Sequence, residues 1–199
     1  MRGRVRLTRM GIPQGRAVRA TIWIACVAAA SQLLTGCGLL GKPVPLSADA
    51  PLTMTVTSPD FIGGIIPDRF TCHGKGESPP IFWSGAPAGT KSLAVVVDDS
   101  DAPIVPKVYW LVFDIGSATT DLQAGLLPPQ ARVAKNSAGK ADYDPPCPVG
   151  AAHGYRFTVY ALDTVLGNAL PGQPALLLAW STIAKHVIAR GTITARANP

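Results

Sequence analysis

Seven short runs of β-branched and aromatic residues, each bounded by Pro, Gly, Asn or Asp, restrict what this chain can fold into. They are Met54–Thr57, Ile81–Trp83, Leu93–Asp98, Val108–Ile115, Ala131–Ala134, Tyr155–Leu162 and Gly191–Ala195. Runs of this length suit strands, and they follow one another without a helix between each pair. The pattern predicts a mainly β fold, an antiparallel β-sandwich rather than a parallel α/β sheet. The 20 Gly and 19 Pro are scattered along the chain and supply the turns. One segment breaks the pattern. Over 174–190, Leu176, Trp180, Ile183 and Val187 fall at spacings of four, three and four, which predicts a small C-terminal helix. Pro174 suits its first turn and Gly191 its C-cap. With 47% hydrophobic and 15% charged residues, the chain has enough apolar side chains for a core, and a disordered protein is excluded.

The formal net charge of +6 is unevenly placed. Residues 1–36 hold six of the 18 basic residues and none of the 12 acidic ones, so the remainder is balanced. A neutral body lacks the basic face that nucleic-acid binding needs. The basic start is followed by the apolar run 20–34, shorter than the ~20 residues of a membrane-spanning helix. It closes in Leu34-Thr35-Gly36-Cys37. Basic start, short apolar middle and small residues before a cut predict a secretory signal over 1–36. The cysteine directly after Leu-Thr-Gly resembles the bacterial lipobox, which implies lipid attachment at Cys37. Acyl chains there would hold the exported protein on the cell membrane, facing outside the cytoplasm. Cys26 lies inside the segment to be removed. Residues 37–52 are rich in Gly, Pro, Ala and Ser and read as a flexible tether, leaving 53–199 as one domain.

Chemistry-bearing residues are few. Asp98-Asp99-Ser100-Asp101 follows a strand, where three acids can bind a cation, orient a histidine or cap turn donors. An EF-hand counted from Asp99 would need Gly at Ile104 and Glu at Trp110, so that motif is absent. His153-Gly154-Tyr155 opens another strand; a lone histidine at a strand start is more often structural than catalytic. The sequence contains no HExxH, paired CxxC, GxSxG, Walker or dinucleotide-binding signature. No catalytic residue, metal or cofactor is expected.

Five segments together resemble the phosphatidylethanolamine-binding protein (PEBP) family, in its bacterial Raf-kinase-inhibitor-like branch. They are Phe70-Thr71-Cys72 with Ser78-Pro79-Pro80 and Trp83; Leu93 through Pro103; Val108 through Ile115; Asn136–Lys140 with Tyr143–Pro148; and His153–Asp163. The resemblance runs from about Thr53 to the C-terminus. It implies an antiparallel β-sandwich with a small C-terminal helix and a shallow pocket for phosphate-like anions and phospholipid head groups. The pocket residues would be Asp99, Tyr109, His153 and Tyr155, with Asp101 beside them. A histidine held by a carboxylate can donate to an anion, with a tyrosine hydroxyl as second donor.

This chain departs from that pattern. Tyr109 stands where the family has histidine, Pro145-Pro146 replaces Gly-Pro, Gly154 replaces arginine, and Ser100 replaces proline. Proline at 145 has no N–H to offer an oxyanion, so weak affinity for free phosphate is expected. Cys72 and Cys147 remain in an oxidising compartment, and the resemblance puts both on loops near the pocket mouth; a Cys72–Cys147 disulfide is expected, against two separate thiols. The expected function is a non-catalytic, membrane-anchored binding protein for a small anionic or lipid-like ligand, or for a protein partner. The alternatives are a hydrolase or protease-inhibitor module built on Asp99, Asp101 and His153, and a purely structural envelope lipoprotein.

Overall fold

The computed structural model describes residues 49–102 and 106–199. The expected signal segment, Cys37 and most of the expected tether lie outside the described residues. The strands are β1 (Thr55–Thr57), β2 (Ile81–Ser84), β3 (Ser92–Asp99), β4 (Val108–Gly116), β5 (Asp121–Leu122), β6 (Arg132–Val133), β7 (His153–Leu162) and β8 (Val187–Ala197), with one helix, α1 (Leu176–Ile183). They form a three-stranded sheet, β1-β2-β5, and a five-stranded sheet, β6-β4-β3-β7-β8, paired antiparallel throughout. The expected mainly β, antiparallel sandwich is the observed fold.

Two hydrophobic layers flank the large sheet. On one face Val95, Val97, Phe157 and Val159 pack with Val56, Trp83 and Leu122 of the small sheet. On the other, Ala94, Val96, Leu111, Phe113 and Tyr160 pack with Ala179, Trp180 and Ile183 of α1 and with Leu166 and Leu170. Strand β3 is therefore buried at every position, which is why Leu93–Val97 is continuously apolar rather than alternating. Trp180 is fully buried, and its truncation to alanine would cost about 3–5 kcal/mol. The loop after β7 has no ladder of its own. Buried Asp114, at φ 57°, accepts the N–H groups of Leu166 (2.8 Å) and Gly167 (3.0 Å), and Arg132 donates to the carbonyls of Leu170 and Pro171 at 2.9 and 2.7 Å.

The helix expected over 174–190 is corrected to eight residues. It ends at Ile183 through tightened turns, Lys185 N–H to Thr182 and His186 N–H to Ile183. Val187 then opens β8, which pairs with β7 from Leu162 to His153. A β-branched stretch with a full-length strand to pair with gains a ladder that one more exposed helical turn could not match. Gly191 is accordingly no C-cap. A Cβ there would lie 2.4 Å from the Met54 carbonyl oxygen, so the chain before β1 can cross β8 because that position is glycine. Residues 50–52, read from sequence as tether, are bonded to the domain: Arg190 N–H donates to Pro51 O (2.9 Å) and Arg190 Nε to Ala50 O (3.1 Å).

Candidate ligand-binding site

Three neighbouring strands of the large sheet meet at one end. β3 finishes at Asp99, β7 begins at His153, and β4 begins at Val108. Asp99 pairs with Tyr155 on one side, and on the other its N–H donates to the Lys107 carbonyl at 3.0 Å. Alternation along the strands puts Asp99, His153 and Tyr155 on the face that carries Val97 and Phe157, toward the small sheet. Tyr109 joins them by a different device. Trp110 pairs with Val97 and Val108 with Asp98, so Tyr109 is the extra residue of a β-bulge. The bulge lets Tyr109 and Trp110, adjacent in sequence, both enter the inter-sheet core.

Within this group, His153 Nδ1 lies 3.2 Å from Asp99 Oδ2. Asp99 is 8% exposed, and its other oxygen accepts the Asp101 N–H at 2.9 Å. A buried, otherwise satisfied carboxylate thus orients a half-buried imidazole, whose Nε2 bonds to none of the described residues. The rings of Tyr109 and Tyr155 meet edge to face with centroids 5.2 Å apart. Burial, then the Tyr109 phenol, pushes Tyr155 above the ordinary tyrosine range, so it can act only as a neutral donor or acceptor.

The three acids of the Asp98–Asp101 stretch go to three different partners. Asp98 points to the opposite face, where Arg156, its cross-strand neighbour, donates from Nε at 3.1 Å and from the second guanidinium nitrogen. Asp99 orients His153. Asp101 is beside the group but committed elsewhere: it accepts the Gly154 N–H at 2.8 Å, lies 3.6 Å from Arg196 Nη1, and accepts the Ser100 hydroxyl at 3.3 Å. The Gly154 N–H holds the Asp101 carboxyl below the usual aspartate range. Arg196 is the β8 residue paired with Gly154, so a guanidinium reaches this corner from the neighbouring strand.

The expected disulfide is present. Cys72 and Cys147 are bonded with Cα atoms 5.3 Å apart, and Cys72 N–H donates to Pro146 O at 3.0 Å. Both cysteines are exposed. The bridge ties down the segment that carries Asp144, whose N–H donates to Tyr109 O at 2.9 Å. A neighbouring cleft of about 250 Å³, lined by Glu77, Ser78, Trp110, Asp142 and Tyr143 among others, contains none of the five expected site residues.

One charged residue escaped the sequence reading. Lys107 Nζ sits 4.4 Å from the centre of the Tyr109 ring and 3.6 Å from Asp144 Oδ2. The signal available was a basic residue two positions before the substituted Tyr109.

Comparison with known proteins agrees with this arrangement of strands. The UPF0098 protein Rv1910c of Mycobacterium tuberculosis is 36% identical over 170 residues, 84% of this chain and 79% of the relative. A UPF0098 protein of Methanothermobacter thermautotrophicus is 44% identical over 108 residues, 52% of this chain and 72% of the relative. LppC of Mycobacterium tuberculosis, a lipoprotein by its name, is 40% identical over 125 residues, 61% of each chain. Among solved structures, the PEBP homologue CT736 of Chlamydia trachomatis superposes with a TM-score of 0.66 at 31% identity, over 74% of this chain and 98% of that one. YbcL of E. coli gives 0.65 at 30% identity, over 74% and 99%. The profile described as phosphatidylethanolamine-binding protein matches residues 57–198, and the chain belongs to that family.

Proposed function

We propose that this protein is an exported, lipid-anchored, non-catalytic binding protein that takes a small anionic or lipid-like ligand at the end of β3, β4 and β7. The observation that carries the reading is the His153–Asp99 pair, set beside the edge-to-face phenols of Tyr109 and Tyr155. An imidazole oriented by a buried carboxylate and flanked by neutral hydroxyls is a donor set for an oxyanion. A hydrolase built on Asp99, Asp101 and His153 is less well supported. Asp101 is taken by Gly154 and Arg196, the Ser100 hydroxyl donates to Asp101, and Cys72 and Cys147 are tied in a disulfide. No described serine, threonine or cysteine is bonded to His153 as a nucleophile would be.

The anchor is carried by Cys37 after Leu-Thr-Gly, and the relative LppC is a lipoprotein by name. Among the described residues no helix is long and apolar enough to cross a membrane. Cys37→Ala is expected to lose the lipid mass shift and leave the membrane fraction or remain unprocessed; a mutant that keeps the shift overturns the anchor. For the site, calorimetric titration of the intact protein with short-chain phosphatidylethanolamine and with its head group should give saturable binding that His153→Ala abolishes. Turnover of esters or phosphoesters, lost in His153→Ala, would replace the binding reading with the enzyme reading.

A further inference from the structure

The site as described carries more negative than positive charge. Asp99, Asp101 and Asp144 surround it, and Tyr109 contributes a neutral hydroxyl. An oxyanion bound there lies close to these carboxylates, and a cation has to offset them. Arg196 is already shared between Asp101 and the Ala152 carbonyl, which it reaches at 2.5 Å. Lys107 is placed otherwise. Its backbone is hydrogen-bonded to Asp99, and its half-exposed ammonium lies over the Tyr109 ring beside Asp144.

We propose that Lys107 is the anion-contacting cation of this site and that Asp144 holds it in reserve until a phosphate-type oxyanion takes its place. The proposal rests on the binding reading above and names the residue that determines its charge selectivity. An ion pair at 3.6 Å with half of the lysine in water is weak, so little is lost when the ammonium moves from Asp144 to a ligand oxygen. The lysine stem can swing, whereas the Tyr109 ring is pinned in the core and keeps the ammonium close to its face. The pair also acts as a filter. A neutral ligand cannot displace Asp144, and a cationic one would be repelled by Lys107.

The test titrates the intact protein with inorganic phosphate and, separately, with glycerophosphoethanolamine. Lys107→Met should weaken binding about five- to tenfold, while Lys107→Arg keeps it. Asp144→Asn should tighten binding about threefold, with a smaller gain in the Lys107→Met background. Lys107→Met should also flatten the dependence of affinity on salt. A Lys107 effect on both ligands identifies the phosphate group as the contact. An effect on glycerophosphoethanolamine alone assigns the lipid head group as its source, and an effect on phosphate alone assigns the free ion. If Lys107→Met binds as tightly as the parent while His153→Ala loses binding, the proposal is overturned and the binding reading stands. If neither the parent nor Asp144→Asn binds either ligand, both fall together.

Discussion

Asp101 takes the backbone N–H of Gly154 at 2.8 Å, and the Ser100–Asp101 turn fills the volume where a side chain at 154 would begin. A Cβ on Gly154 would stand 2.6 Å from Ser100 Oγ and 3.0 Å from Asp101 Oδ1. The two departures from the family pattern, Ser100 and Gly154, are therefore one coupled feature: the turn folds onto a strand that leaves it room. Gly154→Ala is expected to destabilise the protein by up to about 1 kcal/mol, because the Ser100 and Asp101 side chains must move aside and the clamp of Asp101 on β7 loosens. Ser100→Ala in the same chain removes the closest atom and should return half of the loss or more. Urea unfolding of the two variants decides it; a Gly154→Ala protein as stable as the parent contradicts the coupling.

The Asp98–Arg156 pair gives a pH signature. Asp98 is 2% exposed, and burial pushes its carboxyl above the ordinary aspartate value even though Arg156 pulls the other way. Arg156→Met removes that pull, so the pKa of Asp98 in the folded protein rises further above the unfolded one. A carboxyl raised on folding favours the folded state below its unfolded pKa and loses that contribution as pH rises through the folded value. The loss caused by Arg156→Met should thus be small near pH 4 and grow to about 1–3 kcal/mol at pH 7, the partial exposure of Arg156 keeping it below that of a fully buried pair. Unfolding measured at both pH values checks this. An equal loss at both would mean that Arg156 acts by packing rather than by charge.

The fold was legible where runs were long. Leu93–Val97 is continuous because β3 is covered on both faces, and Tyr155–Leu162 lies within the strand observed. β5 spans two residues, too few to show a period. Val187 sits four residues after Ile183 and so continues the helical spacing, although it starts a strand; the partner strand β7, far away in sequence, decides that conformation. At the site, Asp99, His153 and Tyr155 were named through the family resemblance rather than from any pattern of their own, and the structure brings them to one end of the large sheet. The commitment of Asp101 to Gly154 was not legible, since it depends on a missing side chain 53 residues away. Lys107 and Asp144 were hidden for another reason: single charges on loops carry no periodic signal, and their meeting depends on where two loops land.

The Cys72–Cys147 bridge joins loops 75 residues apart. Closing a loop of that length in the unfolded chain is worth at most about 4.5 kcal/mol on the chain-entropy account. Both cysteines are exposed, so a dithiol reductant should reach the bridge without global unfolding. Reduction is expected to lower the urea midpoint markedly, and Cys72→Ala with Cys147→Ala should reproduce the reduced value. Thiol counting on the denatured, unreduced protein should find neither Cys72 nor Cys147 free. Two free thiols there would rule the bridge out.

Tyr109 is where this chain gives up a chargeable donor, and the bulge makes the exchange testable. Because Tyr109 has no partner on β3, a histidine there replaces a side chain without altering the ladder registers on either side. The hydroxyl of Tyr109 offers an oxyanion an ordinary hydrogen bond rather than a charge-assisted one. A charge-assisted hydrogen bond contributes about 1.5–3 kcal/mol against roughly 1 for a neutral one, a difference of about tenfold in affinity. Pro145 withholds a backbone N–H as well, so the parent should bind inorganic phosphate weakly. Tyr109→His is expected to raise phosphate affinity about tenfold at pH 6, where an imidazolium can form, and His153→Ala to remove the gain. NMR titration at pH 6 and pH 8 separates the two contributions: the gain should shrink at the higher pH as the new imidazole loses its proton. Tight phosphate binding by the parent, or a Tyr109→His protein that binds no better at pH 6, would show that the charge at position 109 does not set the affinity of this site.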